Sequence, residues 1–189
     1  MRTLIVTEFM SLDGVVDSPG GESSYPHAGW TFKDVPFVEA AYEIKGREQD
    51  EAGAMLMGRV SYQEFAPVWP GMVDEFAGYN AMPKYVVSTT LTETDPVWSP
   101  TTILSSLDEV AALKARDGDG TIIVHGSPTL AKSLAAAGLV DRYHLLIFPL
   151  MLGTGRRLFD DAADLTNLTL VEHEAYDNGI IKAVYDVVH

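Results

Sequence analysis

A chain of 189 residues with 47% apolar content holds enough material for one domain with a substantial core. Its net charge of −14 argues against a general nucleic-acid binder, which presents a basic face, and its lack of cysteine excludes a disulfide framework or a thiolate metal site. No apolar run approaches the ~20 residues of a membrane span, and the start, MRTLIVTEFMSLDG, is too short in its apolar stretch for a signal peptide, so a cytoplasmic protein is expected.

Residues 2–10 form an apolar run that predicts a buried strand, followed by a polar, glycine-rich loop from Ser11 to about Lys33. Phe37, Ala40, Ala41 and Ile44 recur at i, i+3, i+4 and i+7, one face of a helix. Residues 54–57 read as a short buried strand. Gly58-Arg59 then hands over to a short helix at 60–65, stopped before Pro67 and Pro70. Residues 85–88 and 97–104 predict further strands. Ser106-Leu107-Asp108-Glu109 is a capping-box pattern that starts a helix ending near Gly118. A strand is expected at 121–125. The next helix has Ser127 as N-cap, Pro128 at its first position and Gly138 past its end, with Leu130, Leu134 and Ala137 on the inner face. Residues 143–148 predict a strand. The segments 168–176 and 180–188 alternate around Asp177-Asn178-Gly179, a hairpin signal. Strands alternating with helices predict the α/β class: a mostly parallel sheet with an antiparallel C-terminal hairpin, in a single domain over residues 1–189.

The run IIVHGSPTLAKSLAAAGLVDRYHLLIFPLMLGTGRRLF, residues 122–159, carries the strongest functional signal. A buried strand ends in Gly126-Ser127 and a helix follows at once. Such a junction suits an anion, because first-turn amides are unpaired and the helix dipole favours negative charge there. Three further segments stand before it in the chain: Ser11-Leu12-Asp13-Gly14, Met57-Gly58-Arg59-Val60-Ser61 and Val87-Ser88-Thr89-Thr90-Leu91. In this order and spacing they resemble the dihydrofolate reductase-like superfamily. The branch is that of the reductase domain of the riboflavin-biosynthesis deaminase/reductase (RibD C-terminal domain) and its stand-alone relatives, over roughly residues 2–188.

The resemblance implies a three-layer α/β/α fold, NADPH at the strand ends, and hydride transfer to a small heterocyclic substrate. It places Gly58, Arg59 and Ser61 at the cofactor phosphates, where a guanidinium fork matches phosphate oxygens. It sets Ser88, Thr89 and Thr90 along the adenosine ribose and its 2′-phosphate, and Gly126, Ser127, Thr129 and Leu130 at the pyrophosphate. Relatives often have a cis Gly-Gly bond where this chain has Gly126-Ser127. Asp13 would lie near the substrate as candidate proton donor, and Val15 and Val16 beside the nicotinamide. Trp30 and Asp34 are the substrate-side candidates, although the Leu-Pro-x-Asp helix acid of folate-reducing enzymes is not met in Trp30–Phe37. Lys33, Arg47, Arg156 and Arg157 are the cations available for a phosphorylated substrate. The five histidines show no metal-ligand spacing, and the zinc deaminase half is absent. His27 is a second candidate donor, and His125 a neighbour of the cofactor. Asp160, Asp161 and Asp164 read as a solvated acidic turn. The alternative to a reductase is a non-catalytic nucleotide-binding protein that kept the fold. A homodimer is expected, through 143–148 and 151–159, because LIFPLML needs cover.

Overall fold

The computed structural model describes residues 1–21, 24–94, 97–159 and 165–189, so the acidic turn at Asp160, Asp161 and Asp164 lies outside the described residues. In chain order the strands are β1 (Leu4–Ser11), β2 (Ala52–Gly58), β3 (Lys84–Val87), β4 (Thr101–Leu104), β5 (Thr121–His125), β6 (Arg142–Phe148), β7 (Leu168–Ala175) and β8 (Ile181–Val187). The helices are α1 (Trp30–Lys33), α2 (Glu39–Glu51), α3 (Arg59–Phe65), α4 (Ala77–Ala81), α5 (Leu107–Ala115) and α6 (Pro128–Ala136), with a 3-10 turn at Trp69–Gly71.

One sheet holds these strands in the order β4-β3-β2-β5-β1-β6-β8-β7. The pairs from β4 through β6 are parallel, and β8 is antiparallel to both β6 and β7. This is the α/β architecture with a C-terminal hairpin that the sequence predicts. The chain order reverses around β1, whose neighbours are β5 and β6. The two pairings differ in length. β5 accompanies β1 only as far as the pair Thr7–His125, whereas β6 continues to Ser11–Phe148. Beyond Thr7 one edge of β1 is therefore open, and such a switch point at the carboxyl ends of parallel strands is where α/β sheets form crevices.

Helices cover both faces. Leu4 and Val6 of β1 join Val110 and Leu113 of α5 and Leu130 and Leu134 of α6 in one buried cluster. Ile5 points the other way, into a cluster with Met57, Tyr62, Phe65 and Trp69, and a third cluster packs Ala41 and Ile44 of α2 on Leu146 and Phe148. A two-residue alternation along β1 accounts for the division.

Several boundaries differ from expectation for local reasons. Phe37 precedes α2, is exposed and stacks on Tyr42 at 4.9 Å, so the buried face of α2 is Ala41, Ile44 and Glu48. Ala137 is the exposed C-cap of α6, and Ala131 takes the inner position. Ser106 Oγ caps Glu109 N as predicted at 3.3 Å, but the Glu109 carboxylate reaches back to Ser105, one residue beyond the capping-box partner. β4 begins only at Thr101.

Candidate active site

At the crevice beside β1 lies a cavity of about 490 Å³. One wall is aromatic: Phe65 stacks on Trp69 at 4.4 Å, and Trp69 on Phe76 at 4.3 Å. His125, the last residue of β5, stands edge-on to Trp69 at 5.2 Å. Phe9, Tyr42 and Phe32 extend the apolar lining from the α2 side. The loop after β1 forms the rim, with Val16 buried against the core and Ser18, Pro19 and Gly20 above it.

Two sets of polar groups stand out at the cavity, the first anchored on Glu48 and His144 behind its lining. The first set is fully paired. Glu48 of α2 accepts from Thr7 Oγ1 at 2.7 Å and from His144 Nδ1 at 2.9 Å, and pairs with Lys45 at 3.3 Å. Burial opposes a charge on Glu48, but Lys45, His144 and Thr7 outweigh it and hold the carboxyl down to about 2. Lys45 Nζ also donates to Thr7 Oγ1 and lies 4.9 Å above the Phe9 ring. Arg156 is held by Asp17 at 2.7 Å. The second set is Glu8 and His125, each with a buried side-chain atom, Oε1 and Nδ1, that has no hydrogen-bond partner.

The phosphate-side junctions meet across the crevice. Ser127 does not cap α6. It sits in the left-handed region at φ 64, makes no side-chain cap hydrogen bond, and its hydroxyl accepts from Gly58 N at 3.0 Å. This contact ties the end of β2 to the start of α6, so the first turns of α3 and α6 open side by side. Amides in those turns lack intrahelical acceptors. A Cβ at Gly58 would come within 3.7 Å of Ser127 Cβ and Leu130 Cβ, filling the cleft between the two helix starts. Gly126 is at φ +62, a conformation that side chains resist, and faces Ser61 Oγ and Phe65. The Gly126-Ser127 bond is trans. The two junctions thus form a cradle with free donors, which fits a dinucleotide phosphate.

The sequence-derived candidates separate clearly. Val16, Ser61, Gly126 and Ser127 come together on the cavity, with Gly58 beside them. Arg59 and Thr129 are exposed at the starts of α3 and α6, Arg59 donating to Gln63 at 2.9 Å, and Leu130 is buried in the core behind them. Ser88 folds its hydroxyl back to accept from Thr90 N and Leu91 N, leaving Thr89 and Thr90 exposed after β3.

Asp13, Trp30 and Asp34 do not line the cavity. The Asp13 carboxylate accepts from Ser11 Oγ, Leu152 N and Gly153 N, which outweigh the burial penalty and hold it down to about 2. It is therefore a pin between two loops. The glycine-rich segment that contributes those amides pairs with the loop after β1 through Val16 N to Arg156 O and Leu158 N to Gly14 O. Trp30 is fully buried, donates to Asp17 O and meets Phe148 edge-on. Asp34 is an exposed helix C-cap. Among the four cations, only Arg156 reaches the cavity. Arg47 pairs with Glu172, Arg157 with Asp13, and Lys33 donates to Ala28 O.

Glu8 and the aromatic wall are what the sequence reading missed. Glu8 carries a visible signal, a lone carboxylate inside the apolar strand LIVTEFMS. The wall does not, because Phe65, Trp69 and Phe76 fall in a stretch without clear periodicity.

A family model, the RibD C-terminal domain, matches residues 2–182. The chain belongs to the RibD C-terminal domain family. It is 27% identical over 194 residues to the uncharacterized protein YyaP of Bacillus subtilis (strain 168), covering 97% of this chain and 94% of that one. Among solved structures it resembles a putative riboflavin biosynthesis protein from Shewanella sp. PV-4, with TM-score 0.71 and 20% identity over all of both chains. A pyrimidine reductase-like protein from Corynebacterium diphtheriae matches with TM-score 0.61 and 15% identity, covering 100% of this chain and 92% of that one. Dihydrofolate reductase from Enterococcus faecalis, complexed with NADP(H) and RAB-propyl, matches with TM-score 0.60 and 12% identity over 99% of this chain and 97% of that one. The fold is that of the dihydrofolate reductase-like proteins.

Proposed function

We propose that the chain is an NADPH-dependent reductase acting on a small heterocyclic substrate. The observation that carries this reading is the crevice at the β1–β5 switch, closed at one end by the paired starts of α3 and α6 and at the other by an aromatic cavity. A reduced nicotinamide supplies hydride when bound. Arg59, with the first-turn amides of α3 and α6, binds the phosphates, and Ser88, Thr89 and Thr90 offer hydroxyls toward the 2′-phosphate. Val16 and the Phe65–Trp69 wall exclude water from the reacting ring.

Titration followed by tryptophan fluorescence tests the reading, with Trp69 on the cavity as reporter. NADPH is expected to bind more tightly than NADH, and Arg59→Ala to weaken NADPH by roughly tenfold, about 1.5 kcal/mol for a charge-assisted contact. Equal binding of the two nucleotides, or an R59A variant that binds as the parent does, contradicts the assignment.

Of the surface expected for a homodimer, β6 is mostly buried in the sheet, whereas Met151 and Phe159 of the 151–159 segment are exposed. β6 lies inside the sheet between β1 and β8, so its paired edges cannot take a partner strand. The edge strand β7 can: Leu168, Leu170 and Val171 are exposed, beside Ile181 of β8. We infer pairing through this edge, so light scattering at micromolar concentration should give twice 20.6 kDa. A monomeric mass removes the inference.

A further inference from the structure

Among the described residues, the fully buried side-chain polar atoms without a hydrogen-bond partner are Glu8 Oε1 and His125 Nδ1, and both residues line this cavity. Glu8 is the first β1 residue past the Thr7–His125 pair, where β5 ends. An unpaired buried polar atom costs on the order of 1–3 kcal/mol, and a site that keeps one is suited to a group arriving with the ligand. The neighbouring cations are already engaged: Lys45 by Thr7 and Glu48, Arg156 by Asp17. Both cations are thus partly neutralised by carboxylates, and the wall beyond is aromatic.

On the reductase reading above, we propose that Glu8 is a catalytic acid that also selects the substrate. Its carboxyl O–H donates to a ring nitrogen or carbonyl oxygen of a neutral, unphosphorylated, planar heterocycle held against the Phe65–Trp69 wall. The substrate's C=N or C=O π bond breaks as its carbon takes hydride from the reduced nicotinamide and its nitrogen or oxygen takes the Glu8 proton. The ring is reduced, the nicotinamide is oxidised, and Glu8 is left as a carboxylate to be reprotonated from water.

The electrostatics agree with the geometry. Burial pushes Glu8 up to about 8 against the opposing fields of Lys45 and Arg156, so it keeps its proton at neutral pH. Tyr42 and Tyr79 on the same lining also keep their protons, burial holding both hydroxyls above the usual phenol range. Burial and Lys45 press His125 down to about 3, leaving it neutral, Glu48 of α2 is anionic, and Asp17 is bound to Arg156. Glu64 of α3 also lines the cavity and acts on Arg156.

The test uses menadione, lumazine and uracil as neutral planar probes, read by tryptophan quenching in the parent protein, E8Q and E8L, with NADPH titrated beside each. Menadione, which does not titrate, serves for the pH series. At about pH 6 the parent is expected to bind the probes, and inorganic phosphate not to compete. Glu8→Leu should weaken them by about tenfold or more while NADPH affinity moves by less than about twofold. Glu8→Gln keeps an N–H donor, so it should bind within a few-fold and lose turnover. Menadione binding to the parent should fall as the pH rises through about 8, and E8Q should not follow. Equal binding by E8L and the parent, a pH-independent parent, or no binding of any probe overturns the proposal. NADPH binding alongside such a result leaves the cofactor reading intact. Glu8-dependent probe binding without NADPH binding removes the cofactor reading instead.

Discussion

Glu8 and Asp13 show how environment separates two carboxyls five positions apart in one segment. Asp13 is ringed by donors and stays charged, whereas Glu8 has Oε1 buried without a partner and stays protonated. The separation has a consequence for stability. Glu8 binds its proton more tightly in the folded chain, so its contribution is full below about pH 4.5 and is lost as the pH rises toward about 8. His125 acts with the opposite sign: its folded value near 3 lies below the free value of 6.5, so stability is lost as the pH falls through that range. Between about pH 6.5 and 8 the Glu8 effect stands without that opposition. Chemical denaturation should therefore show the parent losing stability across this window while Glu8→Gln stays flatter. Parallel curves for the two would mean that Glu8 ionises normally in the fold. At this scale the sequence was only partly legible. Gly58 and Gly126 could be placed at strand-to-helix junctions because such junctions announce themselves. Asp13 was misplaced because an Asp-Gly turn looks the same whether its carboxylate faces a ligand or pins a loop.

At the scale of elements, the junction between β2–α3 and β5–α6 is the decisive construction. Ser127 accepts a left-handed φ, which costs about 1–2 kcal/mol for a residue with a side chain, and in that position its hydroxyl meets Gly58 N. The two effects can be separated. Ser127→Ala keeps the strained backbone and loses the hydrogen bond, so it should lower stability by about 1 kcal/mol and loosen phosphate binding. Ser127→Gly relieves the backbone and loses the same bond, so it should be the more stable of the two variants while binding NADPH as weakly as S127A. NADPH affinity unchanged in both would show that the tie between the helix starts has no part in binding. Strands β1, β2, β5 and β6 were legible because each is a short apolar run, the first three ending at a glycine or polar residue and β6 stopping before Pro149. α1, the 3-10 turn and α4 were not, because they are four, three and five residues long and leave no periodic pattern.

For the whole molecule, the order of strands matters more than any one motif. Placing β1 between β5 and β6, and ending β5 four register pairs earlier than β6 along β1, opens the sheet beside Glu8 and His125. The glycine-rich segment after β6 then returns across the end of β1 and fixes the loop carrying Val16. An α/β sheet with a C-terminal hairpin could be read from the alternation of elements, since helices and strands bury different periods. The crevice could not, because it depends on how far two neighbouring strands run together. Family membership and fold agree with this layout. The proposed reductase requires a nicotinamide dinucleotide across the β1–β5 crevice with its phosphates on the starts of α3 and α6. A crystal structure of the NADPH complex tests it most directly. The nicotinamide is expected beside Val16 and Gly126, with the pyrophosphate on the first-turn amides of α6. A cofactor bound elsewhere, or a crevice that stays without it at saturating NADPH, contradicts the account.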